Sequence, residues 1–200
     1  DFTKHVLVTG TTGTGKTTTI KHILKQLRGQ GIPFLVLEPA KDEYSDLAHI
    51  QDESSPVHVY QVGKADDTCL KLNPLVFPWG GSITLMEHID RVCALFNAAF
   101  PMYAAMPQIL EEAVVRSYER CGWDLMTSRF VGSSSSSRFP TLRDVAGEIE
   151  DIVTSAGYDG ESKSTYIGAL KTRINSLMRG SLGMTFGANH DEETSPVRLF

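Results

Sequence analysis

Residues 10–17 read Gly-Thr-Thr-Gly-Thr-Gly-Lys-Thr, the G-x-x-x-x-G-K-[ST] spacing that cradles phosphate. Gly10, Gly13 and Gly15 allow the backbone to turn its N–H groups inward, with Thr11, Thr12 and Thr14 between them. The chemistry is that of a nucleoside triphosphate site. Lys16 is placed to reach the β- and γ-phosphates, and the Thr17 hydroxyl to ligate Mg²⁺. Thr18 would add a backbone N–H from the first helical turn, where the helix end carries partial positive charge.

Glu38 is the second candidate. It closes an apolar run of strand length over 34–38, and the carboxyl ends of parallel strands are where α/β sheets hold ligands. A carboxylate there can polarise the water that attacks a γ-phosphate, or bind Mg²⁺ through water. Asp42 and Glu43, just beyond it, read as exposed acids at a helix start.

These residues need elements to hold them. The apolar run over 5–9 reads as a buried strand entering the loop, and Ile20, Ile23, Leu24 and Leu27 at helical spacing predict a helix to about Arg28, ended by Gly29-Gln-Gly31. A helix between the runs 5–9 and 34–38 is the βαβ pattern, which predicts parallel strands joined by a right-handed crossover. Residues 56–62 alternate as a third strand nearer an edge, and 63–81 read as irregular connection.

The pattern then turns helical. Apolar spacings of three and four predict helices over 83–100, from Pro107 to about Tyr118, from a Thr141-Leu-Arg-Asp144 capping box onward, and over 163–179. The run of serines makes 132–138 a flexible surface loop, and residues 196–200 look like a strand just entered. The expected organisation is one partial domain over 1–200. It comprises a phosphate-loop α/β half over 1–62 and a helical insertion over 82–180. The opening at Asp1 and the strand entered at the close give the chain the look of a fragment, truncated on its C-terminal side.

Composition excludes several classes. No apolar stretch approaches a membrane span and the start is unlike a signal peptide, so a cytoplasmic protein is expected. The three cysteines have no metal or disulfide spacing, and the six histidines form no zinc-binding pair. A net charge of −5 argues against DNA binding by an isolated chain but leaves it open to the loops of an assembled ring. The [NT]-K-x-D of GTPases and the L-S-G-G-Q of ABC transporter ATPases are absent. Apart from 34–38, no segment reads as a Walker B strand. Lys21, Lys25 and Arg28 read as solvent-facing, as do Lys163, Lys171, Arg173 and Arg179 around the last helix.

The run Leu35-Val-Leu-Glu-Pro-Ala-Lys-Asp-Glu-Tyr44, 19 residues past Lys16, resembles the strand-two motif of the HerA/FtsK superfamily of ATP-driven DNA pumps. Leu72-Asn-Pro-Leu75, Leu95-Phe-Asn-Ala-Ala-Phe100, Met106-Pro-Gln-Ile-Leu-Glu-Glu-Ala113 and Gly122-Trp-Asp124 resemble the helical insertion of HerA-like and type IV secretion ATPases. Phe139-Pro-Thr-Leu142 and Gly157-Tyr158 extend the likeness to nearly the whole chain. The resemblance implies a prokaryotic, RecA-like P-loop NTPase with a mostly parallel sheet, ATP and Mg²⁺ as cofactors, and assembly into a hexameric ring that translocates DNA. Lys16 and Thr17 match the family's Walker A pair, and Glu38 its acidic residue at the end of strand two. The Walker B acids, sensor and arginine finger of the family would lie past Phe200, and the β-barrel of HerA-type proteins before Asp1. An ATPase powering conjugative or type IV protein secretion, with a partner in that machine, stays open. So do a DNA motor with a nuclease partner and an ATP-dependent scaffold that hydrolyses little.

Overall fold

The chain divides into two units, Asp1–Val59 and Tyr60–Phe200. Within them the computed structural model describes residues 4–49, 56–78, 81–132 and 139–187.

In the first unit, helix α1 (Lys16–Gly29) follows the glycine-rich loop directly. Gly31 ends it at φ 68, with its N–H on the Arg28 carbonyl, the glycine stop that the sequence predicts. A 3₁₀ turn (Ser45–His49), which the sequence reading missed, comes back to α1. Arg28 donates from Nη1 to the Leu47 carbonyl at 3.3 Å, and Lys21 pairs with Asp46 at 2.9 Å. Lys21 and Arg28 therefore do not face solvent as expected. Arg28 is 9% exposed and, with Leu24 and Leu47, makes up the buried set of this unit among the described residues.

The parallel sheet expected over 5–9 and 34–38 is absent from the described residues. Both segments lie outside any helix or strand, and along the second the burial alternates with period two: Phe34, Val36 and Glu38 half-buried, Leu35 and Leu37 exposed. A ladder needs a second extended backbone in register, and neither segment is bonded to one. Leu7 and Leu37 are accordingly more than four-fifths exposed, at 86% and 81%. Residues 56–62 alternate as predicted but form only one isolated bridge, between Gln61 and Cys69.

The second unit is helical. Thr84 opens α2 (Leu85–Ala99) and Thr141 opens α4 (Leu142–Ser155), each through a capping box that satisfies two orphan N–H groups. Pro107 sits in the first turn of α3 (Met106–Cys121), where a missing N–H costs nothing. α3 packs on both α2 and α4, and α4 on α5 (Gly160–Leu177). Apolar residues at helical spacing, Ile89, Leu110, Val114, Ile149 and Leu170 among them, are fully buried in the core these helices share.

A short antiparallel hairpin, β1 (Trp123–Asp124) with β2 (Arg129–Phe130), follows α3 and was not read from sequence. Trp123 stacks on Phe139 and meets Phe77, Tyr118 and Phe130 edge-on. Gly122, at φ 97, brings the backbone so close to Gly132 that an added Cβ would lie 2.5 Å from its Cα. Buried Asn73 donates to the Pro140 carbonyl at 2.8 Å, and the Tyr118 hydroxyl donates to the Leu75 carbonyl. A further helix, α6 (Gly180–Phe186), lies beyond the helix read over 163–179; its Thr185 hydroxyl accepts from the Gly63 N–H. The flexible loop expected at 132–138 lies, from 133 on, outside the described residues, as does the strand expected at 196–200.

Candidate phosphate-binding site

Gly13 and Gly15 take left-handed φ values of 84 and 85, and a Cβ at either would meet open space, so these two are required by backbone turning, whereas a Cβ on Gly10 would lie 2.7 Å from the Thr14 hydroxyl. Gly15 is the N-cap of α1, and no side chain caps the helix. The first turn also lacks an acidic residue, so its N–H groups and the positive end of the helix dipole stay available to an anion. The ordinary helical devices that would fill this end are missing from it.

The Lys16 ammonium donates back into the loop, to the Gly10 carbonyl at 2.9 Å and the Thr11 carbonyl at 2.7 Å. Thr14 also donates to the Thr11 carbonyl, at 2.8 Å. Thr12 and Thr18 are exposed. Thr19 returns its hydroxyl to the Gly15 carbonyl at 3.0 Å, a bond common in helices.

Thr17 behaves differently. Its hydroxyl donates across 26 residues of sequence to Oε2 of Glu43, at 2.6 Å. That bond, first, and the Lys41 ammonium at 3.2 Å hold the Glu43 carboxyl below its usual range. Glu38 lies one step further out. Its Oε1 accepts the Glu43 N–H at 2.7 Å and its Oε2 the Tyr44 N–H at 3.4 Å. The structure thus links Thr17, Glu43 and Glu38 through hydrogen bonds, with Glu43 rather than Glu38 touching Thr17, while Lys16 bonds only to the loop carbonyls of Gly10 and Thr11. Sequence reasoning set Glu43 aside as an exposed helix-start acid. The signal it passed over was the turn after Pro39, which doubles the chain back and brings 43 to the loop.

Among the described residues no group of three His, Cys, Asp or Glu side chains could cage a metal ion. Thr17 and Glu43 set a hydroxyl and a carboxylate oxygen side by side, hard oxygen donors of the kind a divalent cation takes.

The family model for the central domain of the helicase HerA matches residues 1–180. The chain belongs to that family. Neither the curated proteins nor the solved structures offer a match. HerA-family domains are P-loop ATPases, and residues 10–17 carry the glycine-rich loop of this one.

Away from the loop, two of the four basic residues read as solvent-facing around the last helix, Lys171 and Arg173, are engaged. Lys171 pairs with Glu150 at 2.7 Å, and Arg173 donates to the Pro101 carbonyl at 3.0 Å and lies over the Tyr103 ring. No helix among the described residues is long and apolar enough to cross a membrane.

Proposed function

We propose that this HerA-family domain is the nucleotide-binding core of a motor that hydrolyses ATP to translocate DNA, working as one subunit of a hexameric ring of copies of itself. The observation that carries the reading is the uncapped first turn of α1 behind a left-handed glycine loop, with Lys16 in reach of that loop's interior. In this reading the backbone of residues 10–18 cradles the phosphates. Lys16 leaves the Gly10 and Thr11 carbonyls for the β- and γ-phosphates, and Thr17 serves Mg²⁺. Bound Mg²⁺ supplies charge neutralisation on the phosphate oxygens.

Glu38 takes part as well. The sequence reading put it beside the attacking water. Its two bonds to the N–H groups of Glu43 and Tyr44 support a positioning role, holding the turn that presents Glu43. The exposed outer faces of Leu7, Leu35 and Leu37 support the finer fold reading, in which 5–9 and 34–38 are strands of a mostly parallel sheet. The division into a phosphate-loop half over 1–62 and a helical insertion over 82–180 belongs to the same proposal, as does a cytoplasmic setting.

The test is ATP turnover by the full-length protein, with and without double-stranded DNA, beside Lys16→Ala. Lys16-dependent turnover raised several-fold by DNA is expected. Turnover indifferent to DNA would transfer the motor to protein secretion or scaffolding, and its absence would leave a binding site only.

A further inference from the structure

Of the hydroxyls along α1, Thr17 alone among the described residues reaches a carboxylate. Thr19, two residues on, makes the local return bond to Gly15, so the Thr17 bond is not what the helix imposes by default. Nor does it secure the fold: Glu43 is 38% exposed, and polar pairs in water contribute little to stability. Yet the carboxylate is fixed from three sides. Lys41 holds Oε1, Thr17 holds Oε2, and Glu38 anchors the backbone on which Glu43 stands.

A hydroxyl has one proton to give and two lone pairs to offer. While its proton lies on Glu43, the lone pairs of Thr17 point elsewhere, and the oxygen can ligate a cation without giving up the bond. A second carboxylate oxygen close by adds negative charge and a place for a metal-bound water to donate. Outer partners of this kind orient the ligand and raise its basicity.

We propose that Glu43 is the hydrogen-bond acceptor that orients the Thr17 hydroxyl toward a divalent cation, and so sets the Mg²⁺ affinity of the nucleotide site. The inference rests on the phosphate-loop reading above but makes a separate claim. Glu43 is a positioning residue acting through Thr17, and the readout is metal affinity, not turnover.

The experiment uses the full chain and a fluorescent, non-hydrolysable ATP analogue, titrated in EDTA and then with Mg²⁺ at fixed nucleotide. Glu43→Ala is expected to raise the half-saturating Mg²⁺ concentration about 10- to 100-fold while metal-free binding of the analogue stays within about twofold. Glu43→Gln keeps a hydrogen-bond acceptor and loses the charge, so it should fall between wild type and Glu43→Ala. If the alanine variant loses its helical circular dichroism, the glutamine variant decides alone. A Mg²⁺ titration like wild type in both variants overturns the proposal, as does an equal loss of metal-free binding. Failure of the phosphate-loop reading looks different: the wild type would not bind the analogue, or Lys16→Ala would bind it equally well.

Discussion

The Lys16 ammonium lies 2.9 Å from the carbonyl oxygen of Gly10, six residues back along the chain, so the cation that would grip a phosphate grips its own loop. Those carbonyls hold it in place, and a phosphate oxygen must compete for the same donor. Charge-assisted hydrogen bonds are worth about 1.5–3 kcal/mol, so Lys16→Ala should weaken ATP-analogue binding about 10- to 100-fold. Fluorescence titration reads this directly, and binding within twofold of wild type would remove Lys16 from the site.

Glu38 and Glu43 should not act independently. Glu38 holds the turn through backbone N–H groups, and Glu43 does its work through Thr17. Glu38→Ala is expected to raise the half-saturating Mg²⁺ concentration by less than Glu43→Ala does. The double variant should be no worse than Glu43→Ala alone, since residues in one network are not additive. A fully additive double variant would detach Glu38 from this chain of contacts.

Gly122 is the position where an added methyl group should do most harm. A Cβ there meets the backbone of Gly132 at 2.5 Å, and the φ of 97 is strained for any L side chain. Gly122→Ala should lower the stability of the helical unit by about 3 kcal/mol or more, measured by chemical denaturation. A loss under about 1 kcal/mol would mean that the hairpin gives way easily.

His88 should make that unit sensitive to acid. Burial pushes its imidazole from the ordinary 6.5 down to about 4, helped by the charge of Arg91, while a hydrogen bond to the Pro74 backbone acts in the opposite direction. Its Nε2 is buried, with no partner among the described residues. Between these two values the unfolded chain takes the proton and the folded one does not. Stability therefore falls as pH drops from about 6.5 toward about 4. Denaturation midpoints at pH 7 and pH 5 should draw together in His88→Leu, and an unchanged gap would assign the acid sensitivity to other groups.

Much of the helical unit was legible because its signals are local. The capping box at Thr141, the proline in the first turn of α3 and the three-and-four spacing along α2 and α4 depend on neighbours in sequence. The helix behind the glycine loop was legible for the same reason. What escaped depends on distant partners. The hairpin at Trp123 has strands of two residues, too short for any period to show. Arg28 looked like a surface cation until the 3₁₀ turn brought the Leu47 carbonyl to it. Glu43 was hidden in the same way, since its importance lies in a hydroxyl 26 residues earlier. The apolar runs at 5–9 and 34–38 were read as strands and form none among the described residues, since an apolar pattern carries no record of which strand pairs with which.

The aromatic cluster around Trp123 has a bearing on how damage to this protein would present. Asn73, Trp123 and Phe139, which belong to motifs that carry the family resemblance, are buried in the helical unit, whereas the phosphate loop belongs to the other unit. Lesions in the two places would leave different traces. A cell carrying a defect in the cluster would be short of protein, cleared by quality control before it could act. One carrying a defect at Lys16 would hold a normal amount of folded but inert protein.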